Sequence, residues 1–245
     1  MAKAAPAEQL RLLDLQALDA RIKQLDTRAK VLREDPRLTD LHAGLAVAQS
    51  DLVVLTTEAA DLARELTRAE TDVEQVATRM SRDEARLNSG TGLSKDLVAL
   101  QKELESLARR RSTLEDVELE LMERLESASA RAAKQQGVVD DISGSLGEIR
   151  DEVDARLTEV STDREAVVRD RSALAASFDA ALLAVYERAL TKRGIGAARL
   201  FHGTSEGSGM QLSPGDLADI RKAPDDDVVM CPDAGCILVR SPDWN

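Results

Sequence analysis

Two cysteines, two histidines, a run of three aspartates and a run of three arginines are the residues here whose types and spacing could do chemistry. Cys231 and Cys236 flank Pro-Asp-Ala-Gly, a span tight enough to bring two thiols close. A disulfide between them is sterically conceivable, though a reducing cytoplasm keeps both as thiols. His42 and His202 are far apart in sequence, and each reads as a lone surface or turn histidine. Asp225, Asp226 and Asp227 could attract a cation, but calcium loops need more oxygen ligands at regular spacing, so an acidic surface turn is the better reading. Arg109, Arg110 and Arg111 form the one basic triplet. They read first as a solvated helix face paired with nearby carboxylates, and second as an anchor for an acidic partner or RNA. No nucleophile elbow, phosphate loop or paired metal-ligand helix motif accompanies them, so the expectation is that the protein is not an enzyme.

The elements that carry these residues are long helices. Leu15, Leu18, Ile22, Leu25, Ala29 and Leu32 keep a 3-4 spacing, which is the seam of a coiled coil. Asp35-Pro36 interrupts it, because proline disfavours a helical residue before it and donates no backbone hydrogen bond. The spacing resumes at Leu38 and runs to Met80 through Leu62, Leu66 and Ala69. A second seam runs from Leu97 through Leu121, Leu125 and Ala128 to Val160, and this arm is expected to continue to about Glu187. Arg111, Glu118 and Gln135 fall on it and are read as long side chains snorkelling out of a thin seam. Between the arms, Asn88-Ser-Gly-Thr-Gly-Leu-Ser94 is good turn and poor helix. Long helices on either side of so short a connection fold back as an antiparallel hairpin, placing Leu62 near Leu121 and Leu38 near Ile142 or Gly144. Ser94 is expected to cap the second arm, with Leu93 stapled against Val98.

Composition agrees. Of 245 residues, 32% are charged and 2% aromatic, the profile of long helices rather than a large globular core. The net charge of −12 repels nucleic acid and anionic membrane. No apolar run approaches the ~20 residues of a membrane span, and the first residues lack the apolar core of a signal peptide. These points give the expectation of a soluble, cytoplasmic protein. Between Gln75 and Glu115 there are 8 basic and 6 acidic residues; from Gly194 onward there are 4 basic and 8 acidic.

Beyond Gly194-Ile-Gly196 the helical period stops. Ala197–Phe201 reads as a strand with Met210–Leu212 returning as its partner, Pro214–Arg221 as one or two helical turns, and Val228–Met230 and Ile237–Val239 as strands flanking the cysteines. Two hairpins with so few apolar residues need a metal or a docking surface. Here that surface is expected to be the helix base around Phe178 to Tyr186.

Lys95-Asp-Leu-Val-Ala-Leu-Gln-Lys-Glu-Leu-Glu105, Met210-Gln-Leu-Ser-Pro214 and Cys231-Pro-x-x-Gly-x-Ile-Leu238 together resemble the bacterial C4-type zinc-ribbon coiled-coil hairpin proteins, a domain of unknown function. The resemblance covers essentially the whole chain. It implies a mainly α fold: a long antiparallel coiled-coil helical hairpin over 1–190, with the turn at 88–94 and a break near 35–37, and a small zinc-ribbon-like β module over 191–245. In that family two Cys-x-x-Cys knuckles hold zinc. The matching positions here are Ser205, Ser208, Cys231 and Ala234, so three of four thiolates are missing, and Cys236 is an extra cysteine. A structural zinc needs four ligands, usually thiolate or imidazole. The expectation is therefore a degenerate metal site with no bound zinc and no other cofactor.

The function expected from these readings is that of an adaptor or chaperone-like interaction protein presenting its coiled coil and its small module to a protein partner. Homodimerisation through the outer faces is compatible with it. Binding of RNA or DNA through the module or the hairpin tip is the alternative, and the acidic charge disfavours it.

Overall fold

The computed structural model describes every residue except Met1, Ala2, Thr91, Gly92, Asp243 and Asn245. In chain order the elements are α1 (Pro6–Arg33), α2 (Pro36–Asn88), α3 (Ser94–Ala175), α4 (Ala180–Arg193), β1 (Ala197–Phe201), β2 (Thr204–Ser205), β3 (Met210–Gln211), α5 (Pro214–Lys222), β4 (Val229–Met230) and β5 (Ile237–Arg240). By packing they form two compact units, Pro36–Arg150 and Met1–Asp35 with Asp151–Asn245. The sequence-based division at 190 and 191 follows chain order, whereas these units follow which surfaces touch.

Within Pro36–Arg150, α2 and the first part of α3 run antiparallel. Cross-helix contacts fix the direction: Arg79 meets Glu103, Glu58 meets Arg131 at 2.8 Å, and His42 meets Arg150 at 2.9 Å. As residue numbers fall on one helix they rise on the other. The seam is thin. Leu62, Ala69, Leu121 and Ala128 form its buried cluster, with Ala59, Leu66 and Leu125 against them. A fully buried leucine contributes about 1.5–3 kcal/mol, and the alanines contribute far less while letting the backbones approach.

Leu62 and Leu121 share this cluster, as the antiparallel register requires. Gln135 departs from the snorkelling expectation: its side chain reaches across and donates to the Ala48 carbonyl at 3.0 Å, so the polar group is satisfied within the seam. The turn begins as expected. Asn88 ends α2 and Gly90 takes a left-handed φ of 63°, which glycine adopts without steric cost. Thr91 and Gly92, its expected centre, lie outside the described residues. The staple does not form, since Leu93 is 75% exposed and Val98 is exposed as well. Ser94 is already the first helical residue, and the Leu93 carbonyl accepts from Leu97 N.

In the other unit, α1 lies antiparallel to the C-terminal part of α3, joined by Arg164–Asp26 at 2.6 Å and Arg171–Asp19 at 3.0 Å. The second arm ends earlier than its period implies. It stops at Ala175, and α4 begins at Ala180 under an N-cap from Asp179, whose Oδ1 accepts from Ala181 N at 2.8 Å and Leu182 N at 3.2 Å. The break turns Phe178 into the core beside Leu182 and Tyr186, with the Arg11 guanidinium over its ring.

The C-terminal strands make one five-stranded sheet in the order β3-β2-β1-β5-β4. Met210–Gln211 does not return beside β1. A turn at His202 and Gly203, both at positive φ, folds Thr204–Ser205 back onto β1, and β3 then pairs with β2. β1 pairs parallel with β5, joining the start and end of the module. The sheet is covered on both faces, so neighbouring residues of β1 serve opposite cores. Ala197, Ile237 and Val239 pack with Leu12, Leu15, Phe178, Leu182 and Tyr186; Ala198, Leu200 and Leu238 pack with Leu212, Ile220 and the two cysteines. The module thus rests on the helix base around Phe178 to Tyr186, as its small apolar content requires.

Candidate functional site

Of the positions matched to metal ligands, Ser205 at the end of β2 meets Cys231 of the β4–β5 turn, and Cys231 in turn meets Ala234. Cys231 and Cys236 are free thiols and both are buried. Cys231 N donates to Cys236 O at 2.8 Å and Gly235 N donates to Cys231 O at 2.9 Å, which closes the turn. Cys231 Sγ donates to Ser205 Oγ at 3.4 Å and accepts from Ala234 N at 3.3 Å. Ser208 Oγ accepts from Met210 N at 3.3 Å. Burial pushes the Cys236 thiol up to about 11, with the neighbouring Cys231 adding to the shift. Of the four matched positions one is a thiol, two are hydroxyls and Ala234 has no side-chain donor. Hydroxyls are hard, weakly acidic donors, so this set does not fit structural zinc.

The other residues singled out by type are not drawn into this site. Arg109, Arg110 and Arg111 are exposed on α3, and Arg111 Nε donates to Glu115 one turn on at 2.7 Å. His42 meets Arg150, while His202 stands edge-on to Phe201, the ring centroids 4.2 Å apart. The acidic turn is already occupied by the protein's own cations. Arg240 donates to the carbonyls of Ala223, Pro224, Asp225 and Asp227. Lys3 Nζ reaches Asp226 at 2.9 Å and Asp227 at 3.7 Å, and its hydrogen bond holds the Asp226 carboxyl below the usual carboxylate range.

Sequence reasoning missed one buried polar network. Tyr186 is fully buried and its hydroxyl donates to Asp19 Oδ2 at 2.7 Å. Asp19 also accepts from Arg171, and Arg171 pairs with Glu187. Gln16 Oε1 accepts from Gly196 N at 2.7 Å and Ala197 N at 3.2 Å, fixing the entry to β1. Gly196 is required there, because a Cβ would meet the Tyr186 ring at 2.4 Å. Burial, followed by the Asp19 hydrogen bond, raises the tyrosine above its ordinary range. Burial alone would lower the Arg171 guanidinium, and its bonds to Asp19 and Glu187 outweigh that and raise it. One guanidinium serves two carboxylates and the tyrosine hydroxyl joins Asp19, so the network ties α1, α3 and α4 together while Gln16 ties α1 to the start of β1.

A cleft of about 750 Å³ opens alongside, between α1 and β1. Asp19 and Asp26 in its wall are engaged by Tyr186 and Arg171 and by Arg164. Its lining mixes apolar residues such as Leu13, Ile22 and Ile195 with charged ones such as Lys23 and Glu206.

The model of the CT398-like coiled coil hairpin domain matches residues 15–194. The chain is 33% identical over 238 residues to the uncharacterized protein Rv2229c of Mycobacterium tuberculosis, covering 97% of each. Among solved structures, a protein from Mycobacterium smegmatis superposes with a TM-score of 0.86 at 33% identity, covering 97% of this chain and all of that one. CT398 from Chlamydia trachomatis superposes at 0.66 with 18% identity over 96% of this chain and 98% of its own, a likeness of fold alone.

Proposed function

The chain belongs to the CT398-like coiled-coil hairpin family, and from that premise we propose that it is a non-enzymatic interaction protein, an adaptor or chaperone-like molecule whose hairpin binds a protein partner. The observation that carries this reading is apolar surface on the hairpin. Val47, Val53 and Val54 on α2 are each more than 60% exposed, and on α3 Leu119 and Met122 stand out similarly. Valine at an exposed helix position is disfavoured by propensity, by a few tenths of a kcal/mol relative to glutamine. Neither packing within the chain nor helix formation accounts for three of them in one stretch. Val47 and Val54 are seven residues apart and so lie two turns apart on one face of α2, where exposed apolar side chains are available to a protein partner.

The acidic balance of the chain supports a protein over a nucleic acid, since phosphate contacts by basic residues supply most non-specific affinity for the latter. The test compares affinity capture by tagged wild type with capture by Val47→Gln, Val53→Gln, Val54→Gln in one chain. The variant should melt at or slightly above the wild-type temperature and lose a protein that the wild type retains. Identical captured proteins from both would contradict the reading.

A further inference from the structure

The resemblance to zinc ribbons places a metal between two knuckles, and the donors at those positions do not fit it, so the two loops must be joined in another way. Sulfur lies between them. A Cβ at Gly207 would meet Cys236 Sγ at 2.9 Å and Ala198 Cβ at 2.8 Å, so the sulfur rests directly on the backbone of the first loop. Cys231 Sγ donates to Ser205 Oγ of that loop and accepts from Ala234 N of its own. Ser205 and Cys236 are fully buried, and both thiols sit in one cluster with Ala198, Leu200, Leu212, Ile220 and Leu238. An ion bound there would displace packed side chains, and it would find one of the four family thiolates.

We propose that in this chain a plug of side chains takes the place of the ribbon metal, with Cys236 packed on Gly207 and Cys231 hydrogen-bonded to Ser205, so that the module holds its fold without a metal. Cys236, which lies outside the family's ligand spacing, is then the residue that makes the metal dispensable. Free cysteine behaves as a small, well-buried hydrophobe, which suits this role.

Trp244 is the one tryptophan of the chain and packs against the same cluster, so its fluorescence reports unfolding of the module. The full chain, purified without chelator and kept reduced, should carry far less than one zinc per chain, and its Trp244 midpoint should be the same with and without EDTA. Near-stoichiometric zinc, or a midpoint lowered by EDTA, would overturn the proposal. Cys236→Ala should lower the midpoint by ~2–4 °C or more, equally in both conditions; an unchanged midpoint would show that the sulfur joins nothing. If that variant leaves the module unfolded, Gly207→Ala tests the same contact from the other side. It should lower the midpoint through the clash with Cys236 and Ala198, and tolerance of it without loss would contradict the plug.

Discussion

Tyr186 illustrates how much of this molecule is decided by single residues whose partners are far away in sequence. Its hydroxyl meets Asp19 across α1 and α4, and Arg171 completes the group from α3. Tyr186→Phe removes a buried hydrogen bond to a charged acceptor while leaving Asp19 paired with Arg171. The expected loss is about 1–2 kcal/mol at neutral pH, read by denaturant unfolding. The sign of the pH effect follows from the folded tyrosine being raised above its ordinary value near 10. A group raised on folding stabilises fully below its unfolded value and loses that contribution as pH climbs through the folded one. Wild-type stability should therefore fall above about pH 10, and Tyr186→Phe should flatten part of that fall. Cys236, pushed up to about 11, acts in the same direction and keeps the fall from vanishing. Equal alkaline losses in both proteins would show that the tyrosine contributes nothing there. The network was not legible beforehand, because Gln16, Asp19 and Arg171 look like ordinary polar faces of long helices. The two cysteines of the degenerate site were legible because their spacing is local, and the serines only through the family resemblance.

At the scale of elements, heptad spacing identified the long helices and antiparallel closure, since a seam repeats its signal many times over. The hairpin register makes a direct prediction. Leu62→Cys with Leu121→Cys should yield a bridge within one chain under mild oxidation or with a short bis-maleimide, mapped as one linked peptide pair by mass spectrometry. Bridges found only between chains would mean that the two leucines meet across copies. The period misled at the end of the second arm, where Leu174, Leu182 and Leu183 continue an apolar run across the break. Asp179 before Ala-Ala-Leu-Leu was the readable signal, a capping residue ahead of a fresh apolar stretch. The sheet was legible only as short strands. β2 has two residues, and the parallel pairing of β1 with β5 joins segments with α5 and three strands between them. No local period encodes such a partner.

At the scale of the whole molecule, the charge of −12 and the scarcity of aromatics exclude a large globular core and disfavour phosphate-rich partners, and the family match agrees with a coiled-coil hairpin. What a chain of this kind offers is surface, and the distribution of that surface separates the two binding readings. Arg110 at the basic triplet and Val54 on the apolar stretch are both exposed, but only the second presents apolar area to water. The most direct measurement places a photo-crosslinking amino acid at Val54, at Leu119, at Arg110 and at exposed Glu70, one per variant, and irradiates each in native lysate. A protein-binding apolar surface gives a discrete protein adduct at Val54 or Leu119 and none at Glu70. Adducts confined to Arg110, adducts to nucleic acid, or equal labelling at all four positions would contradict it.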